Sequence, residues 1–172
     1  MAVCVLNEGA LAVPLSEDEI AEVVACTLEL AGVEREVEVC VSVVDEAEMA
    51  TLNAEWRGID APTDVLSFGC DDPFDGSVPA GVPVELGDIV VAPAVIAAQA
   101  PAFSNTFAEE FRLMLVHSAL HLLGYDHLAE EEALEMEERE LAALQELARR
   151  RGDDPAAVRL GPMTRHADEE DQ

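Results

Sequence analysis

Valines at 37, 39, 41 and 43 alternate with Glu38, Cys40 and Ser42, a period of two that predicts a half-buried strand. On either side the period lengthens to that of helices. Before it, Ser16 and Glu19 form a capping box, Ile20, Val23, Val24 and Leu28 share one face, and Gly32 ends the run. After it, Asp45 and Glu48 start a second helix with Met49, Leu52 and Trp56 along one side, which places Trp56 in the core. Shorter apolar stretches predict strands near Val3 to Leu6, Thr63 to Phe68 and Glu85 to Ala92, the last followed by a short helix opened by Pro93. Between them, "CDDPFDGSVPAGVPV" has three prolines and two glycines and reads as a loop, a candidate flap. Thr106 and Glu109 make a second capping box, and the helix they open is apolar nearly all round as far as Gly124, as expected of a central, buried element. Residues 130–151 predict a last, acid-rich helix with Leu134, Leu141 and Leu144 inward.

Length changes the picture little: 172 residues, half of them hydrophobic, suit one domain, here residues 1–151, followed by an acidic tail over 152–172 that is expected to be disordered and whose His166 is incidental. The longest uncharged run, 89–108, is broken by Pro93, Gln99 and Pro101 and makes no membrane span, and "MAVCVLNEG" lacks the basic start of a signal peptide. A cytoplasmic protein with no membrane partner is therefore expected. Cys4, Cys26, Cys40 and Cys70 form no CxxC pair and are expected to be reduced and mostly buried. Charge matters more. Thirty-seven acidic residues against nine arginines and no lysine give a net charge of −28, a field that repels polyanions unless a site overcomes it locally.

Three of the four histidines fall within "HSALHLLGYDH", residues 117 to 127. Positions four apart on a helix project side by side, so His117 and His121 can share an ion, and Gly124 permits a left-handed turn that swings His127 back to them. Three neutral imidazoles without an evident fourth ligand have the composition of a catalytic zinc site, one ion per chain, with an open position. The spacing equals that of metzincin peptidases, but Ser118 stands where those enzymes place a glutamate general base, which removes the base from a peptidase reading.

With this motif, "LNAEWRGIDAPTDVLSF" (52–68) and "LGDIVVA" (86–92) resemble, in order and separation, the signature stretches of the YbeY family of bacterial rRNA maturation factors and endoribonucleases. The resemblance covers about residues 37 to 150. It implies an α+β fold, a mixed sheet of about four strands with the histidine helix central and about four further helices around it. It also implies zinc ligation by His117, His121 and His127, a functional Arg57, and zinc-dependent cleavage of single-stranded RNA in 16S rRNA maturation and ribosome quality control. Single-stranded RNA and ribosomal particles or proteins are then the partners, and DNA is not. Two departures stand out: Ser118 occupies a position where the family usually has glycine, and the surface is far more acidic than RNA binding suggests. The competing functions are a zinc peptidase-like amide hydrolase and a non-catalytic ribosome-assembly factor.

Chemistry alone leaves several residues open. Arg57 offers a planar fork to phosphate oxygens, or else a helix-end charge paired with Glu55 or Asp60. Asp64, Asp88 and Asp126 each suit an imidazole N–H or a turn of their own backbone, with Asp126 favoured as a support for the metal site by its place beside His127. Trp56 and Tyr125 have faces on which bases can stack, although Trp56 is expected to be packed inside.

Overall fold

The computed structural model describes residues 1–160. Its elements are β1 (Ala2–Leu6), α1 (Glu17–Leu30), β2 (Val37–Val43), α2 (Glu46–Arg57), β3 (Val65–Gly69), β4 (Val84–Val91), α3 (Pro93–Gln99), α4 (Phe107–Leu122) and α5 (Glu130–Arg151), with 3-10 turns at Ala100–Phe103 and Pro155–Ala157. The strands form one mixed sheet in the order β1-β2-β4-β3: β1, β2 and β4 are parallel, and β3 runs antiparallel along β4 at one edge. The ladder between β2 and β4 shifts register after Glu38, where Gly87 takes φ 143°. A Cβ there would lie 2.1 Å from the Phe68 carbonyl oxygen, so only glycine lets β3 close against β4 at this point.

The alternation in β2 appears as expected, with its four valines buried, and α1 buries Ile20, Val23, Val24 and Leu28. Both expected capping boxes are formed, Ser16 with Glu19 and Thr106 with Glu109. The main core lies between one face of the sheet and α1, α4 and α5, and α4 is the element at its centre, with Phe111, Leu115, Val116 and Ala119 all fully buried. On the other face, α2 brings Met49 onto Val44, Leu66 and Val90 to form a second, smaller core.

Several expectations need correction. Trp56 is 63% exposed: at the last turn of α2 its ring meets Phe68 edge-on and most of the indole stays in water. Leu134 is also exposed; the inward stripe of α5 is Met136, Glu140, Ala143, Leu144 and Leu147, with Leu141 half-buried beside it. Of the cysteines only Cys26 is buried, while Cys4 and Cys70 lie on open sheet margins. The proline-rich loop is latched, since the Arg35 guanidinium donates to the carbonyl oxygens of Val78, Pro79 and Val82 at 2.7–3.1 Å. After Gly152 caps α5, Val158 and Leu160 pack against the main core; residues 161–172 of the expected tail, with His166, lie outside the described residues. No helix among the described residues is long and apolar enough to cross a membrane.

Candidate metal and catalytic site

One helical turn separates His117 from His121 on α4, and their Nε2 atoms lie 2.9 Å apart. Beyond Leu122 the chain reverses at Gly124, φ 92°, with the Gly124 and Tyr125 N–H groups donating to the carbonyls of His121 and Leu120. That closure of the helix end brings the His127 ring within 5.6 Å of His117 and 5.2 Å of His121, centroid to centroid. The ligating nitrogens of all three histidines fall within 4.8 Å of one another, so the trio can hold a metal ion. The donor set suits zinc, whose tetrahedral bonds of about 2.1 Å hold paired nitrogens roughly 3.4 Å apart.

His117 is buried, and its Nδ1 lies 3.1 Å from Oε1 of Glu140, itself only 1% exposed on the inward stripe of α5. A carboxylate there accepts the Nδ1–H and leaves the Nε2 lone pair facing His121, the tautomer that ligation needs. Asp126, by contrast, accepts the backbone N–H of its neighbour His127 at 2.7 Å, the turn geometry.

The histidines form one wall of a cleft of about 690 Å³. Residues 62–67 of β3 and its approach form the opposite wall, Val95, Gln99 and Phe103 close one side, and Arg57 stands at the end of α2. The latched loop does not line it, so the expected flap does not cover this site. Among the described residues Arg57 makes no ion pair, neither with Glu55 nor with Asp60, whereas Arg112, Arg149, Arg150 and Arg151 all meet carboxylates. Asp64 is in the cleft wall: its Oδ1 accepts from the Val65 N–H and the Thr63 hydroxyl, and its Oδ2 from Gln99. The same Gln99 amide nitrogen donates to Glu110 at 2.9 Å, and Asn105 donates to the other oxygen of that fully buried carboxylate. This chain of bonds ties β3 to α3 and α4 around the cleft. Asp88 lies elsewhere, in a hollow with Cys4, Cys40 and Cys70. Ser118 is fully buried, its backbone carbonyl accepting from Ser67 Oγ.

The sequence motifs do not include Glu140, Gln99 or Glu110. Two had a legible signal. Glu140 stands four residues from both Met136 and Leu144, in the middle of an apolar stripe, and Glu110 opens a helix whose other positions are almost all apolar. Gln99 had none.

A family model described as Endoribonuclease YbeY matches residues 8–148. The protein named Endoribonuclease YbeY from Paramagnetospirillum magneticum is 45% identical over 108 residues, which span 63% of this chain and 66% of that protein. Its namesake from Micrococcus luteus is 40% identical over 136 residues, 79% of this chain and 85% of that one. A solution structure of a Thermotoga maritima protein aligns over 93% of this chain and 99% of its own with a TM-score of 0.57 and 29% identity.

Proposed function

Because the chain belongs to the YbeY endoribonuclease family, we propose that it cuts single-stranded RNA in ribosomal RNA processing, with one zinc ion held by His117, His121 and His127. The observation that carries this reading is the convergence of three imidazole nitrogens within 4.8 Å, in one cleft with Arg57, which makes no ion pair among the described residues. Zinc bound there supplies Lewis-acid chemistry, polarising a phosphoryl oxygen or lowering the pKa of a water. Arg57 presents its donor fork to the phosphate oxygens and stabilises the negative charge that grows on them during cleavage. Glu140 holds the His117 ring in its ligating tautomer. Asp64, with both oxygens engaged by Val65, Thr63 and Gln99, anchors the cleft wall. A recessed site between β3 and α4 admits a single strand with its bases splayed more readily than a stiff duplex. Maturation of 16S rRNA, quality control on ribosomal particles and a cytoplasmic location follow from the same reading.

The test offers zinc-loaded protein a labelled single-stranded RNA, the matching duplex and casein. Cleavage of the single strand is expected, with little of the duplex and none of casein, and His121→Ala abolishes it. Casein cleavage that disappears in His117→Ala, with RNA left intact, would overturn the nuclease in favour of the peptidase reading suggested by the metzincin spacing. Binding to ribosomal particles without any cleavage would favour the assembly factor.

A further inference from the structure

Trp56 is an aromatic that its own helix leaves in water, since α2 buries Met49 and half-buries Leu52 but leaves the indole 63% exposed. Its ring meets Phe68 at 5.4 Å between centroids and 64° between planes. Phe68 is packed against the smaller core, so the contact fixes the indole from one side and leaves much of it open. Its neighbours indicate what belongs there. The next residue in the chain is Arg57, which lines the cleft, and Phe68 directly follows Ser67, the last residue of β3 that lines it. The indole therefore follows the course of α2 to within one residue of the cleft-lining group suited to a phosphate, although Trp56 does not itself line the cleft.

Resting on the single-stranded RNA reading, we propose that Trp56 is a stacking platform for an unpaired nucleobase of the strand whose phosphate Arg57 takes. Stacking uses the neutral π-face that every base has, so it adds affinity without opposing the field of a chain with a net charge of −28. It also requires a base free of its partner, which selects single strands over duplexes. An exposed tryptophan equally suits a protein interface. The adjoining guanidinium, which lines the cleft and makes no ion pair among the described residues, favours the nucleobase.

Trp56 is the only tryptophan in the chain, so intrinsic fluorescence reports on this residue alone. The experiment titrates full-length, zinc-loaded protein with a single-stranded oligoribonucleotide and with an abasic ribose–phosphate strand of the same length. Quenching by the first and not by the second is expected. Trp56→Ala should weaken binding of the base-containing strand on the order of 10- to 100-fold, and Trp56→Phe should recover most of the loss, with zinc content and melting temperature unchanged. Equal quenching by both strands, or unchanged affinity in Trp56→Ala while RNA is still bound and cut, would overturn the platform and leave the nuclease reading standing. So would a Trp56→Ala protein that binds and cuts RNA normally but no longer associates with ribosomal particles, which would assign the indole to a protein partner. Failure of the wild type to bind or cut RNA at all would remove both readings together.

Discussion

His117 meets a second imidazole on one side of its ring and a buried carboxylate on the other, 2.9 Å and 3.1 Å away. A ring held so at both nitrogens has one orientation and one tautomer, and its ligand atom needs little reorganisation before it binds an ion. Glu140→Ala is accordingly expected to lower zinc affinity about 10- to 100-fold, and Glu140→Gln less, since an amide oxygen still accepts the Nδ1–H. Competition with a chromophoric chelator measures both, and equal affinity in all three proteins would reduce Glu140 to a packing residue. Arg57 acts on the other reactant. Arg57→Ala should slow single-turnover RNA cleavage on the order of 100-fold or more while leaving zinc content unaltered, as loss of one preorganised donor does. Arg57→Lys should restore part of the rate, because an ammonium keeps the charge but not the planar fork. Loss of zinc in Arg57→Ala would make its role structural.

The elements that carry these residues depend on a few local devices. In α1, the backbone N–H of Ser16 donates to the Glu19 carboxylate, and this bond first, then the Ser16 hydroxyl, holds the Glu19 carboxyl below its ordinary value of 4.5. A carboxyl whose pKa is depressed on folding stabilises the fold above its unfolded pKa, and that contribution is lost as pH falls through the lower folded value. The stability difference between wild type and Glu19→Gln should thus be present at pH 7 and vanish in acid below the folded pKa. Thermal melts at both pH values check this, and a difference that grows in acid would contradict the capping assignment. The β3–β4 junction depends on Gly87. Gly87→Ala places a methyl against the Phe68 carbonyl in a strained φ region, and is expected to destabilise the fold by on the order of 3 kcal/mol. Urea titration should show the midpoint falling. An unchanged midpoint would mean that β3 can move away from β4, taking one cleft wall with it.

Across the whole molecule, charge decides how RNA can be held. Most arginines serve the protein itself: Arg112, Arg149, Arg150 and Arg151 meet acidic neighbours, and Arg35 latches a loop. Arg57 is the arginine that lines the cleft and is placed to meet phosphate there. Each phosphate neutralised on a single strand contributes about −0.7 to the slope of log affinity against log salt, so the slope here should be near −1 rather than the steep value of a polybasic binder. Fluorescence titrations across a range of salt concentrations measure it, and a slope steeper than about −3 would reveal phosphate contacts beyond Arg57.

Local periodicity and motif spacing by themselves determined the order of strands and helices, both capping boxes, the central place of α4 and the convergence of three histidines around Gly124. Each of these depends on geometry within a few residues, where the pitch of a helix or the pleat of a strand leaves little choice. What the chain could not state was which distant surfaces meet. Glu140 supports His117 only because α5 packs across α4, and Gln99 joins Asp64 to Glu110 only because α3 ends between β3 and α4. Trp56 has the periodicity of a core residue, yet meets Phe68 of edge strand β3 and stays largely in water. Burial is set by what lies opposite a side chain, and only the packed structure supplies the opposite side.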